Sequence, residues 1–333
     1  MRISRHRSRT GPVAPAPALV LALVLALVLS LGLAGLVTVP ESAAATRGGG
    51  HDRGWCRRHL CPEPIATPTP AEGRPLWGGT VFRAGGETYE HAYQRVQAAY
   101  GGLDAIRMFF PGLPATWASI DQKVHGTPVV VSFKADPAAV VAGRYDDRFR
   151  QWFGEAPRGR VTHWTYWHEP ENDDVDLATY RLAWQHLDDL ADEAANPDLR
   201  STLILMCWTL SPKSGRDFAD YYPGGGSIDV LGFDCYNNGR RKGVYRDPAS
   251  ILSPVRAVAE QHGKPWGIAE FGTTVVDTDG GEQGRAEWLR GMADFVRDNG
   301  GVFATYFDSF VGFDYRLHDD TSKRAWREIV TSD

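Results

Sequence analysis

Eight short apolar runs, separated by longer stretches in which apolar residues recur every three or four positions, organise the chain from residue 77 onward. The runs cover 77–82, 105–111, 128–134, 161–169, 201–209, 228–236, 265–271 and 301–308. Between them the helical period predicts helices over 88–100, 176–195, 247–262 and 284–299, with a last one over 322–330. Strands that are apolar on both faces and alternate with amphipathic helices are parallel strands covered by helices. Eight such units between 76 and 333 predict an α/β chain folded as a (β/α)8 TIM barrel, a fold of about 250 residues. The competing open, doubly wound sheet would need fewer strands, and no Gly-x-Gly-x-x-Gly turn follows the first run.

The N-terminal segment follows different rules. Arg2, Arg5, His6, Arg7 and Arg9 precede a small and apolar run from Ala18 to Val39, the pattern of an export signal. Ser42, Ala43, Ala44 and Ala45 supply the small residues of a cleavage site, so residues 1–45 are expected to be removed. The run is also long enough, at more than about 18 residues, for an uncleaved membrane anchor. In both cases the basic flank stays inside and the remainder is exported, either secreted or held on the outer face of the membrane. Residues 46–75 are rich in Gly, Pro and Arg and read as a tether, with Cys56 and Cys61 close enough to pair. Cys207 and Cys235 fall near the ends of two successive strands; a bridge across the barrel rim and two buried thiols are both open.

Charge narrows the functional classes. Cleavage after residue 45 takes four arginines and Glu41 from the 36 basic and 41 acidic residues, leaving a net charge of −8. Nucleic acid is therefore not an expected partner. The 11 Trp, 12 Tyr and 14 Phe supply either core bulk or flat platforms for sugar rings. No His-x-His cluster of the kind a metal-dependent hydrolase needs occurs, so neither metal nor organic cofactor is expected.

Two runs end in glutamate: VTHWTYWHEP at 161–170 carries Glu169, and KPWGIAEFG at 264–272 carries Glu270. In a barrel of this kind the reactive groups stand at the C-terminal ends of the strands, here the fourth and seventh. Two carboxyls brought to one rim are what glycosidic bond cleavage requires. One protonates the departing oxygen while the other attacks the sugar or activates water; a separation of about 5–5.5 Å gives retention and about 6.5–9.5 Å inversion. Asp234 lies at another strand end, as rim support or as a turn cap. Arg107 and Lys134 are expected to point inward, either donating to substrate hydroxyls or forming internal ion pairs. Trp208 is the first choice among rim aromatics for stacking on a sugar, ahead of Trp167, Phe307, Phe313 and Tyr315.

His168 with Glu169, the stretch from Tyr221 to Gly224, the run from Asp229 through Asp234 and Tyr236 to Asn237, and the segment around Glu270 together resemble glycoside hydrolase family 26, a β-mannanase family of the retaining clan A. The resemblance spans most of the second half of the barrel. It implies Glu169 as acid/base, Glu270 as nucleophile, His168 as a group at or behind the sugar under attack, and Tyr236 as the hydroxyl that orients the nucleophile. These roles are physically coherent: a donor beside Glu270 favours its charged form, while burial raises Glu169 so that it holds a proton.

Two departures stand out. Typical members place an arginine four residues ahead of the acid and a small polar stretch followed by tryptophan after it. Here Thr165 holds the first position, and the loop carries Glu171, Asp173, Asp174 and Asp176. That acidic loop can cap the next helix, hold calcium or meet a polar substrate. The expectation is a secreted, monomeric, retaining endo-glycoside hydrolase acting on a β-linked polysaccharide, by family default mannan, with mixed-linkage glucan and xylan open. The alternative from another class is a non-catalytic carbohydrate-binding protein of the cell wall.

Overall fold

The computed structural model describes residues 73–237 and 243–332. The proposed signal, the tether and the Cys56–Cys61 pair lie outside these residues. Eight parallel strands close in sequence order: β1 (Leu76–Thr80), β2 (Ala105–Phe110), β3 (Val129–Phe133), β4 (Thr162–Tyr166), β5 (Leu199–Met206), β6 (Val230–Tyr236), β7 (Trp266–Gly272) and β8 (Gly301–Tyr306). β1 closes the ring by pairing with β8 as well as β2. The (β/α)8 barrel is the fold of the chain.

Each strand is nearly sealed because it faces packed side chains on both sides. Inside the barrel, Val130, Ile204, Val230, Ala269 and Phe303 form a floor, and the His163 ring lies 4.5 Å from that of Phe303. Gly267 makes room for this floor: a Cβ there would stand 2.5 Å from the Phe303 ring. The larger core lies between the strands and the helices. Trp326, on the last helix α9 (Asp320–Thr331), meets both Trp77 and Phe271 there.

The helices begin where the sequence offers caps. Thr88, Thr116, Asp136, Asp176, Asp247 and Asp319 each accept a hydrogen bond from a backbone N–H three residues on, satisfying a donor the first turn leaves free. They start α1 (Tyr89–Tyr100), α2 (Trp117–Val124), α3 (Pro137–Val141), α5 (Leu177–Glu193), α7 (Pro248–His262) and α9. α4 (Asp146–Gly154), α6 (Phe218–Tyr221) and α8 (Gln283–Asp298) complete the set.

The sequence pattern misses α2, α3, α4 and α6, which run for only 8, 5, 9 and 4 residues. Such lengths hold too few turns for a 3.6-residue period to register. The fourth strand is also shorter than the apolar run that announced it. It stops at Tyr166 because Trp167 and Glu169 take left-handed backbone angles, φ 54° and 50°.

Candidate active site

That left-handed break positions the first glutamate. The Trp167 N–H still bonds to Phe133 O on β3, at 2.8 Å, while the Glu169 N–H crosses to Ile204 O on β5, at 3.0 Å. Backbone strain of this sort costs about 1–3 kcal/mol per residue and persists where neighbouring bonds over-determine it. Glu169 then opens a single 3₁₀ turn, Pro170–Asn172, whose Asn172 donates its Nδ2 to Glu169 Oε2 at 3.0 Å.

The second glutamate is placed by a bulge. Phe233 pairs with Ile268, but the next residue on β6, Asp234, pairs with Glu270, so β7 holds one extra residue between them. Successive residues of a regular strand face opposite sides. Ala269 belongs to the interior floor, and the bulge allows Glu270, immediately after it, to face inward too.

Glu270 is buried and held at both oxygens. Arg107 Nη2 donates to Oε1 at 3.1 Å, and the Tyr236 hydroxyl donates to Oε2 at 2.6 Å. Arg107 itself is fully enclosed and is fixed by Met108 O, Val130 O and Ser132 Oγ. Burial pushes the Glu270 carboxyl up to about 7, with the negative charge of Glu169 adding to the rise; the guanidinium and the tyrosine hydroxyl oppose it. Burial also raises Glu169, helped by the charge of Glu171 and opposed by the bond from Asn172. Tyr236 is driven well above the ordinary phenol range by burial and the surrounding carboxylates, so it stays a donor.

His168 is half-buried, and burial with Arg107 and Lys134 nearby holds it well below the usual imidazole range, hence neutral. Its ring packs 5.4 Å from Phe109, which in turn lies 6.2 Å from Phe307. Trp208, in a 3₁₀ turn just after β5, is 41% exposed and offers open aromatic surface. The turn is tied to β6 by a disulfide between Cys207 and Cys235, which decides between the two states the sequence left open.

For three residues the sequence left two readings open, and the structure shows which contacts each makes. Arg107 does not face substrate hydroxyls; it is the internal ion-pair partner of Glu270, because its strand position aims it under the rim. Asp234 is 1% exposed and sealed from any sugar, lying beside Glu270 in the β6–β7 pairing. Lys134 sits at the rim but is engaged by Asp173, at 2.6 Å, over the Trp167 ring.

The acidic loop resolves into separate structural duties. Asp176 caps α5; Asp173 accepts from Lys134 and from Trp167 Nε1; Glu171 accepts from the Met206 N–H and Thr209 Oγ1, both at 2.7 Å. Among the described residues no group of three His, Cys, Asp or Glu is arranged to hold a metal ion. Sequence reasoning passed over Asn172 and Phe109. Phe109 was within reach, since it lies two residues after Arg107 and shares its inward face.

No family model matches the chain, and no curated protein matches it in sequence. Solved structures do match in fold. A GH26 β-mannanase from Bacteroides ovatus is 13% identical, with a TM-score of 0.52, over 79% of this chain and 90% of that one. A modular endo-β-1,4-mannanase from Cellulomonas fimi is 15% identical, with a TM-score of 0.52, over 78% and 71%. A glucosidase from Croceicoccus marinus is 14% identical, with a TM-score of 0.53, over 77% and 67%. At such identity the likeness is one of fold.

Proposed function

We propose that the chain is an exported, retaining endo-glycoside hydrolase that cleaves a β-linked polysaccharide. The observation that carries this reading is the setting of Glu270: a buried carboxylate at a strand end, held by a guanidinium and a phenol, with a second carboxyl, Glu169, just after β4, whose proton affinity burial raises. A sugar-binding protein needs neither the pair nor the two donors on one of them.

Glu270 attacks the anomeric carbon while Glu169 gives its proton to the departing oxygen, so the glycosidic bond breaks as the glycosyl-enzyme ester forms. Glu169, now a carboxylate, takes a proton from water, whose oxygen displaces Glu270. Arg107 and Tyr236 keep Glu270 aimed and charged before attack and receive it again as leaving group. Trp208 supplies a stacking face for a sugar, and neutral His168 a polar contact to the ring under attack.

Mannan is the first candidate substrate, supported by the motif resemblance and by mannanases among the structures of like fold. Mixed-linkage glucan and xylan follow, since loops set specificity in such barrels. Export rests on the basic and then apolar character of residues 2–39.

The test is release of reducing sugar from mannan, mixed-linkage glucan, xylan and cellulose by the purified protein, with product sizing. Activity on at least one is expected, lowered by orders of magnitude in Glu169→Ala and Glu270→Ala. A protein inert on the whole panel, or a variant as active as the parent, would overturn the assignment.

A further inference from the structure

Three carboxyls meet at this rim: Glu169 after β4, Asp234 on β6 and Glu270 on β7. One enclosed cation, Arg107, is bonded to them, and its bond goes to Glu270. Lys134 is partly exposed and engaged by Asp173. A single guanidinium balances a single carboxylate, and further buried negative charge would stand uncompensated.

Asp234 is the odd member. It is buried at 1% exposure, and neither of its oxygens meets an N–H or hydroxyl donor. Its polar contact is with the carboxyl of Glu169. Two carboxyl groups bond to each other only through a proton that one of them carries. Glu169 has a second donor, Asn172, and lies less deeply than Asp234. The proton between them therefore belongs with Asp234.

We propose that Asp234 is a positioning residue for the catalytic acid: a permanently neutral carboxylic acid whose hydroxyl donates to Glu169 and stays in place throughout turnover. Its proton is not the one transferred. Glu169 loses its own proton to the departing oxygen and regains one from water. In between, its carboxylate is held by the Asp234 hydroxyl and by Asn172. Asp234 thus tempers an acid that burial alone would make too weak. The direction of its proton affinity agrees: burial, with the charges of Glu270 and Glu169, raises Asp234 well above the ordinary aspartate range, Arg107 opposing. The charged and titratable groups around the pair are Arg107 of β2, Lys134 just after β3, His168 and Glu171 beside Glu169, Tyr236 of β6 and Glu270 of β7.

The neutral state is a property of the resting protein; only its catalytic consequence rests on the hydrolase reading. The experiment is a carboxyl ¹³C NMR titration of the full chain labelled at Asp Cγ and Glu Cδ, repeated for Asp234→Asn and Asp234→Leu. Asp234 is expected to remain protonated through the range where an ordinary aspartate ionises, near about 3.9. Asp234→Asn keeps a donor, so the Glu169 midpoint stays close to the parent's. Asp234→Leu removes it and raises the proton affinity of Glu169 about tenfold, moving the alkaline limb of kcat/KM upward.

An Asp234 that ionises in the ordinary range would overturn the proposal. So would a Glu169 midpoint that falls in both variants, as loss of a charged neighbour produces, or that moves in neither, as a packing role produces. Should the leucine variant fail to fold, the parent titration decides. No substrate is needed, so a protein inert on every glycan would leave this result to stand or fall by itself.

Discussion

The hydroxyl of Tyr236 on β6 donates to Glu270 Oε2 on β7 at 2.6 Å, and its ring stacks on Tyr315 with centroids 4.9 Å apart. Tip and face are both fixed, so the phenol holds the carboxylate in one orientation. The bond joins neighbouring strands, and its geometry is therefore set by the sheet.

Removing that hydroxyl costs a bond to a charged group, about 1.5–3 kcal/mol, or roughly 10- to 100-fold in rate. Tyr236→Phe is expected to lower kcat by that factor. Because the hydroxyl favours ionised Glu270, its loss also moves the acid limb of the pH–rate profile upward. A variant with unchanged kcat and an unchanged limb would deny the tyrosine this part.

Catalysis needs Glu270 ionised and Glu169 protonated, so the acid limb of the rate is expected to follow Glu270, raised by burial to about 7, and the alkaline limb to follow Glu169, whose proton affinity burial also raises. Arg107→Met removes the cation that opposes protonation of Glu270 and should shift the acid limb further upward. The same change strands a buried carboxyl, so urea denaturation at neutral pH should show a loss of about 3–5 kcal/mol.

The Cys207–Cys235 bridge ties the turn bearing Trp208 to the strand bearing Asp234 and Tyr236. Cys207→Ala with Cys235→Ala is expected to lower stability by about 2–4 kcal/mol, read as a drop in Tm. KM should rise more than kcat falls, since Trp208 is the exposed part. A reductant should reproduce both effects in the parent and neither in the double variant.

Stereochemistry is open to direct observation. ¹H NMR of the first product formed is expected to show the anomer of the substrate, as double displacement requires. Addition of azide to Glu169→Ala acting on an aryl glycoside with a good leaving group should give a glycosyl azide of that same configuration. An inverted first product would replace the ester intermediate with direct attack by water.

Much of this architecture is visible in the sequence because parallel barrel strands are buried on both faces and read as unbroken apolar runs, as at Val129–Phe133 and Trp266–Gly272. Glu169 and Glu270 stand out because a charge ending such a run has no packing purpose. The partners of Glu270 are less visible. Arg107 is 163 residues away, and only the closed ring decides whether it meets a carboxylate or a sugar. Asp234 has the same limitation: its isolation from donors is a property of three strands together. The acidic loop misleads locally, since Glu171, Asp173 and Asp176 each serve a different neighbour.

The extra residue of β7 makes the phase of that strand a functional quantity. Its two halves are in opposite phase: the part before Ala269 follows one alternation and the part from Glu270 follows the other. Straightening the strand with all its residues kept would turn Glu270 outward into the helical layer, whereas deleting Ala269 would leave Glu270 paired with Asp234 and inward, at the cost of one residue of the floor. The bulge thus lets consecutive residues of one strand serve the floor and the rim, and a comparison of two chains through β7 has to place the extra residue at Ala269 before it pairs the residues on either side.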